Sequence, residues 1–231
     1  MTGMTPSALM LFAAGLGTRM KELTRDRPKP LVEVADRPLI DHALDLVDQA
    51  GVARTVINTH YLAAQLSTHL AGREVALSHE PTLLDTGGGL RQALPLLGPG
   101  PVFTLNSDAI WTGPNPLTQL RAAWQPTRMD ALLLLVPVER ATGRSGAGDF
   151  SMDAQGRLTR GGPLVYTGAE IIDPAGLMDV PEASFSLNVL WDRIGAQDRL
   201  CGAVHRGGWC DVGSPAGVGA AEALLGQAVN D

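Results

Sequence analysis

Residues 9–19 read LMLFAAGLGTR, an apolar run that breaks into two glycines and ends in threonine and arginine. The apolar half predicts a buried β-strand over residues 8–13, and the glycine half predicts a tight loop. Gly15 and Gly17 carry no side chains, so consecutive backbone N–H groups can turn toward an anion. A following helical turn would add its positive dipole end, and Arg19 a forked cation that suits phosphate oxygens. Two glycines alone leave two interpretations open, a phosphate-binding loop and an ordinary turn at a strand end.

Strand and helix signals alternate after this stretch through the first half of the chain. Predicted strands cover residues 8–13, 54–59, 73–79 and 101–106, and predicted helices cover residues 38–50, 61–70 and 88–97. Asp36 is expected near the start of the first of these helices, with Pro38 in its first turn. The alternation predicts right-handed βαβ units and a mostly parallel sheet, an α/β fold. Ligands of such sheets bind beyond the carboxyl ends of the strands, so the residues just after each strand are the first candidates for a site.

The second half of the chain is less regular but shows no linker, repeat or low-complexity segment. Its predicted elements are a strand at 131–138, a glycine-rich loop at 141–148, a hairpin with its turn at 154–156, a strand at 163–172, a helix near 185–195, a strand at 201–205, a turn at 207–214 and a closing helix from Pro215. We therefore expect one compact domain over residues 1–231.

Composition narrows the classes of function. The net charge of −6 argues against a nucleic-acid backbone as a general partner, and no apolar run reaches the length of a membrane span. The apolar run near the start lacks the preceding lysine or arginine of a secretory signal. Cys201 and Cys210 show no metal-binding spacing, which is typical of reduced thiols in the cytosol. We expect a cytoplasmic protein with small-molecule partners, and the sequence does not indicate an oligomeric state.

Lys29, one of only two lysines in the chain, lies between Pro28 and Pro30. Each proline fixes its own φ and biases the preceding residue toward extended geometry, so we expect Lys29 in a stiff, extended segment that leads into a strand. A lysine held in this way suits a fixed target. The alternative is a solvated lysine in a proline-rich loop.

Two aspartates are candidates for a metal site. Asp108 follows the predicted strand at 101–106, and Asp211 lies in the glycine-rich turn before the last helix. Mg²⁺ usually takes one or two carboxylates together with substrate phosphates. Both residues also fit ordinary turns, and they would share an ion only if the fold brings them together.

Together these motifs resemble the sugar-1-phosphate nucleotidyltransferase family, whose pattern is a strand that ends in A-A-G-x-G-T-R, a later P-K-P, and two separated aspartates. The matching segments are Ala13–Arg19, Pro28–Pro30, Asn106-Ser107-Asp108 and Trp209–Ser214. Ser107 replaces the glycine that is usual in the third motif. The resemblance implies a Rossmann-like three-layer sandwich, with residues 1–115 mainly binding nucleotide and residues 116–231 mainly binding sugar and supplying the closing helix.

The resemblance also implies roles for individual residues. Arg19, Lys29, Asp108 and Asp211 would be catalytic, and the two aspartates would bind Mg²⁺. Nucleotide binding is implied for Ala13, Ala14, Gly15, Gly17, Thr18, Arg19, Glu80, Thr86 and Gly87. Glu80 would read the base edge, which as a carboxylate suits uracil and guanine alike, and Gly87 would stack near the base. Asp149 and Gly168 would contact the sugar.

Within the family, details such as L-x-T-G-G-G at residues 84–89 and G-x-G-D-F at residues 146–150 are closest to the branch that joins UTP and N-acetylmuramate α-1-phosphate in peptidoglycan recycling. Mannose-1-phosphate with GTP, and glucose-1-phosphate with UTP or TTP, are alternatives. A non-catalytic nucleotide-binding regulator is a remote one. The lactyl carboxylate of muramic acid calls for a cationic or amide partner, and Arg144, Arg157 and Arg160 are equal candidates.

Overall fold

The computed structural model describes residues 5–228, and the elements below are those of this part of the chain. The strands are β1 (Ala8–Phe12), β2 (Glu33–Val34), β3 (Arg37–Pro38), β4 (Arg54–Thr59), β5 (Ala76–His79), β6 (Val102–Asn106), β7 (Ala109–Trp111), β8 (Ala131–Pro137), β9 (Ala141–Thr142), β10 (Gly148–Met152), β11 (Leu158–Gly162), β12 (Leu164–Ile172), β13 (Leu200–Val204) and β14 (Trp209–Asp211). The helices are α1 (Leu39–Gln49), α2 (Ala63–His69), α3 (Asp85–Leu97), α4 (Pro116–Ala123), α5 (Asn188–Gly195) and α6 (Pro215–Ala228). Short 3₁₀ helices cover Thr18–Thr24, Lys29–Leu31, Val138–Arg140 and Ala175–Asp179.

A nine-stranded sheet forms the centre of the molecule, with the order β11-β10-β12-β6-β1-β4-β5, and with β8 and β13 joined to it through β12. The pairs β6-β1, β1-β4 and β4-β5 are parallel, as the alternating pattern of the first half predicts. Strand β12 pairs antiparallel with β6, β8 and β10, and β11 pairs antiparallel with β10. Strands β11 and β12 therefore run opposite to the remaining strands, which all share one direction. The sheet is mixed but mostly parallel.

Helices cover both faces of this sheet. Helices α3 and α5 pack with Met10 and Phe150 on one face, and α1, α2 and α4 pack with Leu9 and Leu11 on the other. Because side chains alternate along a strand, neighbouring residues of β1 are buried in opposite layers. Within the described residues, no helix has the length and apolar character needed to cross a membrane.

Two local predictions were wrong. Residues 209–211, expected in a turn, form β14, which pairs antiparallel with β7. Asp36, expected near the start of α1, lies instead in the turn of the β2-β3 hairpin at φ 58°, and Pro38 directly precedes the helix without a side-chain cap. Short aspartate side chains tolerate the left-handed region, which explains its place in that turn. The pairing of β14 with β7 has the larger consequence, because it positions two candidate site residues.

Candidate active site

A cleft of about 410 Å³ opens at the carboxyl ends of β1, β4 and β6 and reaches the start of α3. Its lining residues are Phe12, Ala13, Ala14, Gly15, Lys29, Pro30, Asn58, Glu80, Leu83, Asp85, Thr86, Asn106, Ser107, Asp108 and Ser184. This is the edge at which parallel α/β sheets bind ligands. Seven of the residues that the sequence proposes for the site, namely Ala13, Ala14, Gly15, Lys29, Glu80, Thr86 and Asp108, line this one cleft.

The glycine-rich loop follows β1 directly. The Ala13 N–H donates to Asn58 Oδ1 at 2.7 Å, so it is engaged within the protein. Among the described residues, no protein acceptor receives the backbone N–H groups of Ala14, Gly15 or Gly17. Thr18 then begins a 3₁₀ helix, whose first N–H groups have no partner within the helix. The loop therefore exposes a run of backbone donors at the cleft, which suits an anion.

Lys29 lies at the wall of the cleft and is 8% exposed. It begins a 3₁₀ turn after an extended Pro28, so the prediction of an extended lysine was wrong. The Leu31 N–H donates to the Pro28 carbonyl, and this hydrogen bond outweighs the extended bias that Pro30 imposes. A Cβ on Gly17 would lie 3.0 Å from the Lys29 Cβ, which shows how tightly the loop packs against the lysine.

Lys29 Nζ donates to Asp108 Oδ2 at 2.5 Å, and both side chains are largely buried. The lysine thus bonds to one of the two candidate metal ligands. An ammonium group in this position orients the carboxylate and also places a positive charge in the cleft.

Strands β7 and β14 bring Asp108 and Asp211 together. Asp211 is the register partner of Ala109, and the Val212 N–H donates to the Asp108 carbonyl at 2.8 Å. Burial raises the pKa of Asp211, the negative charge of Asp108 raises it further, and Lys29, among nearby cations, opposes the shift. Two neighbouring carboxylates in a partly desolvated position are an arrangement that a divalent cation would relieve.

Asp108 and Asp211 are the two neighbouring carboxylates that could bind a divalent metal. No group of three or more His, Cys, Asp or Glu side chains among residues 5–228 forms a complete protein metal site. Asp108, which lines the cleft, and the adjacent Asp211 supply two carboxylates, which fits Mg²⁺ because that ion keeps most of its ligands as waters and substrate phosphates. It does not fit a closed structural Zn²⁺ site.

Arg19 lies near Asp211, and both side chains approach Gly213. A Cβ on Gly213 would lie 2.8 Å from Asp211 Oδ2 and 3.0 Å from Arg19 Nη1, so both charged groups approach the bare backbone of that glycine. The charge of Arg19 also opposes the rise in the pKa of Asp211. No described carboxylate forms an ion pair with Arg19, so its guanidinium is available to an anionic ligand.

Glu80 and Thr86, which were expected to contact the base, form hydrogen bonds within the protein instead. Glu80 is 0% exposed, and its two oxygens accept the Asn58 Nδ2–H at 2.8 Å and the Leu84 N–H at 3.0 Å. The Thr86 hydroxyl oxygen accepts the Leu187 N–H at 2.9 Å. Glu80 and Thr86 thus brace the cleft wall, and direct contact with a base stays a prediction for both.

Helix α3 begins at Asp85, earlier than predicted, so the three glycines lie inside the helix. A Cβ on Gly87 would lie 2.4 Å from the Phe185 ring, and one on Gly88 would lie 2.4 Å from the Ala183 carbonyl. The absence of side chains at Gly87 and Gly88 therefore lets residues 183–185 of the protein pack closely, whereas the resemblance implied a base stacked near Gly87. Gly87 is not among the residues that line the cleft.

Of the two residues expected around the sugar, Gly168 lies beside a cleft residue and Asp149 is paired with Arg144. Gly168, at φ 84°, falls within a register shift of β12, and a Cβ there would lie 2.6 Å from Nδ2 of Asn106, a cleft residue. Asp149 accepts two hydrogen bonds from Arg144, at 2.6 and 2.9 Å, and one from the Tyr166 N–H at 2.8 Å. Gly168 therefore borders the cleft through Asn106, whereas the hydrogen-bond partners of Asp149, Arg144 and Tyr166, are not among the residues that line it.

The three arginines that the sequence left as equal candidates for binding the lactyl carboxylate have different surroundings in the structure. Arg157 pairs with Asp153 at the exposed hairpin, and Arg160 pairs with Asp192 and lies over the Phe150 and Trp191 rings. Arg144 alone of the three contributes to the charge environment of Asp211. It is the arginine of this set that lies toward Asp211.

Eight other residues line the cleft that the sequence analysis did not propose for the site: Phe12, Pro30, Asn58, Leu83, Asp85, Asn106, Ser107 and Ser184. The rule that ligands bind at the carboxyl ends of parallel strands could have identified Asn58, because it is a polar residue near the end of β4. Asp85 and Ser184 depend on the exact turns that precede α3 and α5, which periodicity does not specify.

Comparison with known proteins gives three results. Residues 9–174 match the family described as MobA-like NTP transferase domain. N-acetylmuramate alpha-1-phosphate uridylyltransferase of Caulobacter vibrioides is 44% identical over 238 residues, which cover 96% of this chain and 98% of that protein. The enzyme of the same name from Neisseria meningitidis serogroup B is 34% identical over 94% of this chain and 97% of its own length.

Solved structures confirm the fold. HddC from Yersinia pseudotuberculosis complexed with GMP-PN superposes with a TM-score of 0.76 at 19% identity, covering 95% of this chain and 99% of that one. A putative glucose-1-phosphate thymidylyltransferase from Bacillus anthracis superposes with a TM-score of 0.79 at 17% identity, covering 94% of each chain. The predicted α/β three-layer sandwich with a mostly parallel central sheet is therefore confirmed.

Proposed function

We propose a specific reaction for this chain, which belongs to the sugar-1-phosphate nucleotidyltransferase family: it joins UTP and N-acetylmuramate α-1-phosphate into UDP-N-acetylmuramate and releases pyrophosphate. The observation that carries this choice of substrates is 44% identity, over nearly the full length of both chains, to a relative named for that reaction. The cleft supports it with groups suited to two phosphorylated substrates.

The reaction needs no covalent intermediate on the protein. A phosphate oxygen of the sugar phosphate attacks the α-phosphorus of UTP, the bond from that phosphorus to the bridging oxygen breaks, and its electron pair leaves with pyrophosphate. The protein then has two tasks, which are to align the two phosphates and to stabilise negative charge. The free backbone donors at Ala14, Gly15 and Gly17 and the unpaired Arg19 suit the triphosphate, with Arg19 at the leaving pyrophosphate.

Lys29 is proposed as the cation that bridges the two reacting phosphates. Its Nζ is fixed at 2.5 Å from Asp108 Oδ2 and lies at the cleft, so its charge is held in place before the substrates bind. Charge fixed in this way costs no reorganisation when the transition state forms.

Enzymes of this family generally use a divalent metal, and for this chain we propose Mg²⁺ at Asp108 and Asp211. When bound, the ion would neutralise charge on the α-phosphate. Asp108 and Asp211 would hold it, and Lys29 would keep Asp108 in position.

The remaining assignments follow the family resemblance. Ala13 and Thr18 flank the free donors of the glycine-rich loop, and we assign Glu80, Thr86 and Gly87 to the wall on the base side. We assign Asp149 and Gly168 to the sugar side. In this proposal residues 1–115 mainly bind nucleotide and residues 116–231 mainly bind sugar within one domain. The reaction would serve peptidoglycan recycling in the cytoplasm.

A substrate panel tests the proposal. The full-length protein with Mg²⁺ is assayed for pyrophosphate release with UTP, TTP, GTP and CTP, each crossed with N-acetylmuramate, N-acetylglucosamine, glucose and mannose 1-phosphates. We expect the highest kcat/KM for UTP with N-acetylmuramate α-1-phosphate. A preference for GTP with mannose 1-phosphate would overturn the substrate assignment, and no release with any pair would support a non-catalytic regulator.

A further inference from the structure

We propose that the Asp85 carboxylate selects the base of the nucleotide, and that Glu80 supports the wall on which Asp85 lies. The proposal deepens the function proposed above, because it names the residue that would distinguish UTP from CTP. It rests on the placement of Asp85 in the cleft, on its backbone conformation, and on the bonds that already occupy Glu80.

The Glu80 carboxylate is committed to the protein. No part of Glu80 is accessible to solvent, and its two oxygens accept hydrogen bonds from Asn58 and Leu84. Asn58 in turn accepts the Ala13 N–H, so Glu80 connects the glycine-rich loop to the residue before α3. A carboxylate used in this way fixes two walls of the cleft relative to each other.

Asp85, in contrast, lines the cleft with an exposed side chain. Its φ of 59° is uncommon for a residue with a Cβ, and aspartate is among the few residues that adopt it at modest cost. One oxygen, Oδ1, accepts the Thr86 N–H at 2.6 Å, which fixes the direction of the carboxylate. Oδ2 has no hydrogen-bond donor among the described residues and remains open to a ligand.

An open carboxylate oxygen only accepts hydrogen bonds. Uracil presents a donor at N3–H, whereas N3 of cytosine is an acceptor, so Asp85 Oδ2 would bind the first base and repel the second. Leu83, which lines the same wall and is 40% exposed, offers an apolar surface for the base beside this oxygen.

The Asp85→Asn variant tests the proposal sharply. The asparagine keeps the tolerance for positive φ, and its Oδ1 keeps the bond from the Thr86 N–H, so Nδ2 takes the place of Asp85 Oδ2. That nitrogen donates a hydrogen bond, which suits the acceptor at N3 of cytosine and opposes the N3–H of uracil. We expect the ratio of kcat/KM for UTP to that for CTP to fall by about tenfold or more, with the KM for the sugar phosphate unchanged.

Two further variants complete the experiment. Asp85→Gly fits the backbone conformation without a carboxylate, and we expect the same loss of base selection. In Glu80→Gln an amide NH₂ group, which donates, faces the Asn58 and Leu84 N–H groups, which also donate. We expect this variant to lower turnover with UTP and CTP to the same extent. An unchanged ratio in both Asp85 variants, or a ratio lost only in Glu80→Gln, would overturn the proposal.

Failure of the proposed function gives a different result. If the wild-type protein prefers TTP or GTP, the UTP assignment fails, but those bases also present an N–H to an acceptor. The Asp85 proposal is then tested by whether Asp85→Asn lowers kcat/KM for the preferred nucleotide more than Glu80→Gln does.

Discussion

The proposed phosphate end of the site (Arg19, Lys29, Asp108 and Asp211) and the proposed sugar end (Arg144, Asp149 and Gly168) differ in how many of their charged side chains form ion pairs within the protein. At the phosphate end, Lys29 pairs with Asp108, whereas the neighbouring Asp211 and Arg19 form no ion pair with a described residue. At the sugar end, Arg144 and Asp149 pair with each other through two hydrogen bonds.

This difference suggests that the phosphate end serves the reaction itself and that the sugar end serves the choice of sugar substrate. At the phosphate end, Arg19 and Asp211 have no ion-pair partner among the described residues, and Lys29 holds Asp108 in place, so this group suits anionic phosphates and a cation. Paired charges instead fix the shape of the surrounding wall and contribute less net charge to a ligand. We therefore expect substitutions at the phosphate end to lower turnover, and substitutions at the sugar end to change mainly the KM for the sugar.

The largest effect is expected at Lys29. Lys29→Ala removes the fixed charge and frees Asp108, and we expect kcat to fall by about 10³-fold in the pyrophosphate assay. Lys21, the only other lysine, is exposed, so Lys21→Ala is a matched control that should retain wild-type turnover. Equal activity of the two variants would contradict the site assignment.

A smaller effect is expected at Asp211. Asp211→Asn leaves one carboxylate for the metal, and we expect a fall of about 10²-fold in kcat together with a higher Mg²⁺ concentration for half-maximal rate. Titration of the rate with Mg²⁺ measures both quantities, and the exposed Asp198→Asn serves as control. An unchanged Mg²⁺ dependence would remove Asp211 from the metal site.

At the sugar end, Arg144→Ala should act mainly on binding. We expect the KM for the sugar phosphate to rise about tenfold with kcat nearly unchanged, because the bidentate pair with Asp149 is lost and the wall loosens. Arg157→Ala, which breaks a pair at the distant hairpin, should leave both constants unchanged. Equal changes in the two variants would show that the sugar end does not depend on Arg144.

The smallest effect on activity is expected at Glu170, a buried acid of β12 that accepts hydrogen bonds from Trp191 Nε1 and Thr104 Oγ1. Burial raises its pKa to about 8. The unfolded chain releases this proton near the ordinary glutamate pKa and the folded protein releases it near 8, so the free energy of unfolding should fall as pH rises between these values. The slope would be at most about 1.4 kcal/mol per pH unit.

Thermal unfolding of the wild type and Glu170→Gln at several pH values between 5 and 8 checks this prediction. The wild type should lose stability relative to the variant as pH increases, and parallel curves for the two proteins would contradict it.

The sequence predicted the phosphate end better than the sugar end, for physical reasons. The glycine-rich loop and Asp108 follow strands of a parallel sheet, so a simple rule about strand ends locates them. Asp211 depends on the short pairing of β14 with β7, which periodicity did not reveal, and only the family resemblance linked it to Asp108. The roles of Glu80, Asp85 and Gly87 depend on which side-chain atoms already have partners, and that is a property of packing.

Analysis of the products formed by the wild-type protein tests the central claim most directly. UTP and N-acetylmuramate α-1-phosphate are incubated with the protein and Mg²⁺, and the products are identified by ³¹P NMR and mass spectrometry, with Lys29→Ala as the blank. We predict UDP-N-acetylmuramate and pyrophosphate in equal amounts from the wild type and little of either from the variant. Absence of the nucleotide sugar from the wild-type reaction, when another nucleotide and sugar phosphate are consumed by the same protein, would contradict the account.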